Sequence, residues 1–222
     1  AMSEPRFIYT FEEGDSADRM LLGGKGANLC EMTQIGLNVP PGFVITTAAC
    51  LAYLEEQRLP GALMDDVRAH VAQLERKTGK SFGSATNPLL VSVRSGSAMS
   101  MPGMMDTILN LGLNPATLKG LMAQTGNERF AWDAYRRFVQ LFGKIAMGIP
   151  DEAFDDAMAA VKRKHGAVHD VELGADALEE LAQESHRRRG VRQRHQAHVV
   201  HGRNEEAHRD AHRFLRVVVG PP

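Results

Sequence analysis

The sequence predicts an α+β protein, and three observations carry that prediction. Short apolar runs of β type occupy the first half, at Phe7–Phe11, Phe43–Thr46, Leu89–Val93 and Thr107–Leu113. After Leu113 the apolar residues recur at helical spacing, each segment bracketed by start and stop signals. The chain's 222 residues, 43% of them hydrophobic, suffice for one full domain or one and a half with a real core.

Taken in order, Phe7–Phe11 reads as a short strand ahead of an acidic turn, Glu12-Glu-Gly-Asp15. Leu21-Leu-Gly-Gly-Lys-Gly-Ala-Asn-Leu-Cys-Glu-Met32 is a glycine turn running into a helix that stops near Gly36, with Leu29, Met32 and Thr33 expected to face inward. Gly23, Gly24 and Gly26 expose backbone amides at the helix N-terminus, where the dipole favours an anion, and Lys25 sits among them. The pattern is not a Walker A loop, and an ordinary glycine-rich helix start with a solvated lysine is the other reading. Val39-Pro-Pro-Gly42 is a rigid turn before the strand Phe43–Thr46, after which Thr46 or Thr47 caps a helix through Leu51 and Leu54. Pro60 suits the first position of the next helix, with Leu63, Val67, Val71 and Leu74 buried and Thr78-Gly79 at its end. His70, beside that stripe, is expected to be a surface or packing residue.

The run Leu89–Val93 delivers Arg94 at its end, followed by a Ser/Gly/Met segment that leads into Thr107–Leu113. An arginine at the mouth of a buried strand, next to Ser-Gly, suits an anion: the strand fixes the guanidinium and Gly96 lets backbone approach the ligand. The alternative is an arginine paired to a core carboxylate beside a plain hairpin loop. Beyond Leu113, Asn114-Pro115 opens a helix that ends at Thr125-Gly126. Asn127 caps the strongest helix, with a face of Ala131, Ala134, Tyr135, Phe138, Leu141, Phe142 and Ile145. Its aromatics Phe130, Trp132, Tyr135 and Phe138 are spaced as core. A third helix starts at Pro150-Asp151-Glu152 and a fourth near Asp176, carrying Leu178 and Leu181.

Net charge is −1, but it is unevenly spread. Ser185–Pro222 holds nine Arg against three Asp or Glu, a local +6, which leaves −7 on residues 1–184. That tail also holds six of the nine histidines and no sustained apolar period, so it is expected to be disordered, and its absence to leave Leu89–Val93 with an unpaired edge. His195-x2-His198-x2-His201 would share a face only on a helix, and no carboxylate or cysteine set completes a metal site. Without lysine or interleaved aromatics, nucleic-acid binding is not expected either. A reading-frame change in GC-rich coding DNA would produce this Arg/His/Gly/Pro/Val mixture and is the favoured expectation for the tail. Cys30 and Cys50 form neither a metal spacing nor a disulfide framework, and no apolar run reaches membrane-spanning length. A cytoplasmic protein away from membranes is the expectation.

Two stretches together point to a family. Leu21-Leu-Gly-Gly-Lys-Gly-Ala-Asn-Leu29 with Val39-Pro-Pro-Gly-Phe43, and Val91-Ser-Val-Arg-Ser-Gly96 with Ser100-Met-Pro-Gly-Met-Met-Asp-Thr-Ile-Leu-Asn-Leu-Gly-Leu113, resemble the nucleotide-binding end of the pyruvate, phosphate dikinases. Gly79-Lys-Ser-Phe-Gly83, Asn127-Glu-Arg-Phe-Ala131 and Tyr135-Arg-Arg-Phe138 fit as well, so the resemblance covers about Phe7 to Glu184. It implies the first lobe of an ATP-grasp nucleotide-binding domain over 1–113, an inserted small helical subdomain over 114–184, and the Arg/His-rich tail over 185–222. It also implies that Lys25 and Arg94 hold the phosphates of ATP, with Asp106 and Thr107 as further candidates for contact with the nucleotide.

The family converts ATP, phosphate and pyruvate to AMP, pyrophosphate and phosphoenolpyruvate through a phosphorylated histidine. Nothing in this chain resembles the second ATP-grasp lobe with its Mg2+-binding carboxylates, the phosphohistidine domain or the pyruvate-binding barrel. The chain is therefore expected to contain no catalytic residue of its own, no metal ligands, and no turnover alone, while a homodimer like the family's is compatible with it. Phosphoenolpyruvate synthases share a glycine-lysine loop and a Val-Arg-Ser strand end but lack the Ser-Met-Pro-Gly-Met-Met-Asp-Thr run. A non-catalytic binding module with a basic tail is the reading from outside the enzymes.

Overall fold

A computed structural model describes residues 6–95, 107–185, 187 and 217–220. They form strands β1 (Ile8–Thr10), β2 (Phe43–Ile45), β3 (Ser81–Phe82), β4 (Pro88–Leu89), β5 (Val91–Ser95), β6 (Thr107–Leu111) and β7 (Val217–Gly220). The helices are α1 (Arg19–Gln34), α2 (Thr47–Glu56), α3 (Leu63–Thr78), α4 (Pro115–Thr125), α5 (Glu128–Met147) and α6 (Asp151–His165), followed by α7 over residues 175–185. Mixed helix and small sheet is the α+β class expected. Among the described residues no helix is long and apolar enough to cross a membrane.

The chain divides into two compact units. The first takes the described residues of Ala1–Phe82, Val91–Thr107 and Glu205–Pro222, the second those of Gly83–Leu90 and Ile108–Asn204. Residues 83–90 and 108–113 thus go with the helices rather than with the first unit, and the first unit draws a strand from the far end of the chain.

In the first unit the strands run in the order β1, β2, β7, β5, every neighbouring pair antiparallel. The register aligns Tyr9, Val44, Val218 and Arg94 across the sheet, and in the next row Ile8, Ile45, Val217 and Ser95. α1 lies on the face of Val44, where Phe11, Leu22, Ala27, Cys30 and Val44 form a buried cluster. The other face carries Phe43, whose ring sits 5.3 Å from that of His70 on α3, so His70 is the packing residue expected.

Three sequence expectations are corrected here. Val217–Gly220 is ordered as a strand between β2 and β5, because three consecutive β-branched valines satisfy their backbone groups on both sides there. β5 accordingly has a paired edge. His195, His198, His201 and the Arg188-Arg189 pair lie outside the described residues. α1 buries Leu22, Gly23, Gly24, Gly26, Ala27 and Cys30 and packs Leu29 against that cluster as expected, while Met32 is 40% exposed: the small residues bring its backbone onto the sheet, and Met32 turns away. Phe130 is half exposed, since α5 turns Ala131, Ala134, Tyr135 and Phe138 inward instead.

In the second unit, α4 begins and ends where the sequence placed it. The Asn114 carboxamide oxygen accepts from the N–H groups of Ala116 and Thr117 at 2.8 and 3.0 Å, and the Thr117 hydroxyl accepts from Asn114 N–H at 2.8 Å. Replacing Asn114 by alanine is expected to cost about 1 kcal/mol, read as a lowered denaturant midpoint with unchanged slope. α6 and α7 pack through Ala157, Val161, Leu173, Ala177, Leu178 and Leu181. Arg129 locks the 3-10 turn Asp170–Glu172 by donating to the carbonyls of Leu173, Asp170 and Val171.

Candidate functional site

The site is assembled on the face of the sheet that α1 covers. α1 starts two residues earlier than its glycines suggest, because the Asp18 carboxylate accepts from Leu21 N–H at 2.9 Å and caps it. Gly23 interrupts the helix with φ 72° and ψ 160°, a conformation that a side chain would strain. Gly26 then seats α1 directly on the sheet: a Cβ there would lie 3.0 Å from both methyl carbons of Val44. Between the two glycines, Lys25 is held half-buried.

Arg94 comes to the same place by strand alternation. It shares the register row of Val44 and Val218, two strands across from the residue that Gly26 touches. The expected end-of-strand position is refined by this geometry, since Arg94 is the penultimate residue of β5 and a built part of the ladder. Lys25 and Arg94 feel one another. Burial chiefly, and the Arg94 guanidinium next, hold the Lys25 ammonium below its ordinary pKa. Among the described residues no ion pair ties either side chain to a carboxylate. Two like charges held together without a counter-ion form a pocket of positive potential, which an anion relieves.

The other two expected residues belong to the segment that leads into β6, the strand next to β5 in the sheet. Thr107 opens β6 and is half-buried, and Asp106 lies outside the described residues. Sequence reasoning missed two unsatisfied hydroxyls on this face of the sheet. Thr46 is the residue before α2, yet its hydroxyl makes no cap bond, and Thr46 Oγ1 and Ser92 Oγ are both buried without a hydrogen-bond partner. The Val91-Ser-Val-Arg94 alternation was the available signal for Ser92, which shares the face of Arg94. The Cys30 thiol, also nearby, is pushed up to about 11 by burial and secondarily by Glu12, so it stays a protonated packing group at neutral pH.

A cavity of about 360 Å³ in the second unit is lined by Arg136, Gln140, Phe154, Met158 and Lys162. Its cations are already neutralised: Arg136 meets Asp133 at 2.7 Å and Lys162 pairs with Asp170. Lys25 and Arg94, by contrast, have no such carboxylate partner among the described residues. Among the described residues no group of three or more His, Cys, Asp or Glu is placed to hold a metal ion.

Residues 19–65 match the family described as "Pyruvate phosphate dikinase, AMP/ATP-binding domain", a span that contains Lys25 and Thr46. The chain is 55% identical over 177 residues to the pyruvate, phosphate dikinase of Entamoeba histolytica, covering 79% of this chain and 20% of the relative. It is 47% identical over 179 residues to that of Clostridium symbiosum, covering 80% and 20%. The chloroplastic pyruvate, phosphate dikinase 1 of Arabidopsis thaliana is 46% identical over 182 residues, with 80% and 19% covered. The chain thus spans about a fifth of the length of the curated relatives it matches.

Proposed function

We propose, from a chain that carries the AMP/ATP-binding domain of the pyruvate, phosphate dikinase family, that Lys25 and Arg94 hold the phosphate chain of ATP. The observation that carries this is the pair itself: Lys25 on α1 and Arg94 on the sheet face that α1 covers, the guanidinium disfavouring the ammonium's charge, and neither with a carboxylate partner among the described residues. Their division of labour follows from their chemistry. Arg94, fixed in a strand, offers a planar fork to two oxygens at once, while Lys25 is a compact charge on a longer tether. Both favour charge spread over phosphate oxygens, which is what phosphoryl transfer asks of a protein.

The sheet with α1 over it is the first lobe of an ATP-grasp domain in this reading, and the helical unit is its inserted subdomain. In the longer protein the bound ATP, with phosphate and pyruvate, gives AMP, pyrophosphate and phosphoenolpyruvate through a phosphohistidine. Charge on the phosphates would be neutralised further by Mg2+, on ligands supplied from outside this chain. Asp106 and Thr107 contact the nucleotide beside Arg94.

A titration of the 222-residue chain tests the reading. With one lobe, ATP is expected to bind with a Kd in the millimolar range or weaker, roughly −4 kcal/mol or less favourable. Tripolyphosphate should compete with ATP, adenosine should not, and phosphoenolpyruvate should not form. Adenosine binding as well as ATP would show that the phosphates are not what the site holds.

A further inference from the structure

The cavity of about 360 Å³ in the second unit stands apart from the phosphate reading, and three helices build it. Arg136 and Gln140 lie one turn apart on α5, Phe154, Met158 and Lys162 follow at helical spacing on α6, and Leu181 comes from α7. Its size is at the lower end of the roughly 300–1,000 Å³ of ligand pockets, which suits a molecule smaller than a nucleotide.

The cavity is polar at one end. Asp170 is held below the usual carboxylate range chiefly by its bond to Lys162 and further by the Arg136 guanidinium, so both cations stand beside it. Each of them meets a carboxylate, yet neither is used up. Arg136 donates from Nε and Nη2 to Asp133 at 3.1 and 2.7 Å, and from Nη1 to the Gln140 oxygen at 3.1 Å. One hydrogen remains on each of Nη1 and Nη2. Gln140, its oxygen turned to Arg136, keeps both carboxamide hydrogens without a partner among the described residues. Arg136 is 12% exposed and Lys162 24%, so these donors are held inward.

The rest of the wall is largely apolar. Phe154 and Leu181 are buried, and Met158 and Ala159 are half-buried. Gly143 lets the Phe154 ring lie against α5, since a Cβ there would meet Phe154 Cζ at 2.6 Å. Asp155, which is exposed, lies two turns of α6 from Lys162, about 10 Å away.

We propose that this cavity binds a small monocarboxylate with an unbranched apolar body. Its head meets Arg136, Gln140 and Lys162, and its body lies on Phe154, Met158 and Leu181. Adjacent guanidinium hydrogens call for two acceptor oxygens in one plane, which a carboxylate supplies and an alcohol does not. A phosphate chain has the oxygens but nothing to lay on the apolar wall.

Octanoate is the probe, titrated into the 222-residue chain by calorimetry, with acetate, 1-octanol and octylamine as comparisons. Trp132 is the single tryptophan. It stands one turn before Arg136 on α5 and packs on the α6–α7 cluster, and its buried indole N–H has no hydrogen-bond partner, so its emission reports on the polar end. Octanoate should bind saturably and shift that emission. Acetate, without the body, and octanol, without the head, should bind at least tenfold more weakly. Arg136→Lys keeps the charge, loses the fork and should weaken octanoate about tenfold. Ala159→Leu fills the cavity from α6 without touching an ion pair: the thermal midpoint should hold or rise, and octanoate binding should disappear. Octylamine binding as well as octanoate would reduce the site to an apolar hollow and overturn the proposal. So would octanoate binding that survives Ala159→Leu, or its absence from calorimetry and Trp132 emission alike. Loss of binding only in parallel with a fallen midpoint in both variants would make the effect structural, and would overturn it too.

Discussion

Arg94→Ala weakens ATP binding by about ten- to a hundredfold while leaving the thermal midpoint close to that of the parent. The magnitude follows from a charge-assisted hydrogen bond, which contributes about 1.5–3 kcal/mol, with each 1.4 kcal/mol worth a factor of ten. The direction of the stability effect follows from the site. Arg94 repels Lys25 and is not ion-paired among the described residues, so its removal relieves a repulsion rather than breaking a bond. Arg94→Lys restores the charge without the fork and should recover only part of the affinity. The same losses should appear in ATP-dependent pyrophosphoryl transfer if the substitutions are placed in a full-length relative. Unchanged titration curves for Arg94→Ala would remove the assignment.

Gly120→Ala should be the most destabilising single methyl in the second unit. Alanine in a helix interior ordinarily stabilises by up to about 1 kcal/mol over glycine. Here the added Cβ would sit 2.5 Å from the Ala85 carbonyl oxygen and 2.9 Å from its carbon, with Pro88 Cδ at 3.1 Å. The obstacle is backbone, so no rotamer change relieves it. α4 is also tied to that segment by Gln124, whose carboxamide donates to the Thr86 carbonyl at 3.2 Å and to the Asn87 side chain at 2.8 Å. Either these bonds or the α4 packing must give. We expect a net cost of about 2–3 kcal/mol, against less than about 0.5 kcal/mol for the adjacent exposed Lys119→Ala. Denaturant unfolding distinguishes the two, and a stabilised Gly120→Ala would show that α4 does not lie this close to Ala85.

The helical half was the most legible in the sequence, and for a physical reason. Asn114, Asn127 and Gly126 are local signals that act within a turn of where they stand: α4 and α5 begin beside the asparagines, and α4 ends at the glycine. The first unit was less legible because its decisive contacts are distant in sequence. Nothing local in Leu21–Met32 says that the glycine side of α1 packs and that Met32 turns outward; that follows from Val44, across the sheet. Nothing near Val217 announces that it pairs with Ile45 and Ser95 at once. Lys25 and Arg94 were legible as residues suited to an anion, each by its own neighbourhood. What joins them is the register between β2, β7 and β5, which only the fold supplies. Ser92 went unnoticed, and Thr46 was legible only as a helix-cap candidate, because a hydroxyl becomes informative once it is seen to lack a partner.

The central claim, that phosphate oxygens sit between Lys25 and Arg94, is read most directly on the Lys25 ammonium. An NMR titration of the lysine side chains, with Lys25 assigned from Lys25→Arg, gives its pKa in the free chain and under saturating ATP. In the free chain it should lie below the ordinary lysine value of 10.5, lowered by burial first and by Arg94 second. Bound phosphate supplies the missing negative charge, so ATP should raise it while adenosine leaves it in place. By linkage, ATP affinity should be full below the Lys25 pKa of the free chain and decline as pH rises through it. A Lys25 pKa that ATP does not move, at concentrations where ATP demonstrably binds, would place the phosphates elsewhere and contradict the account.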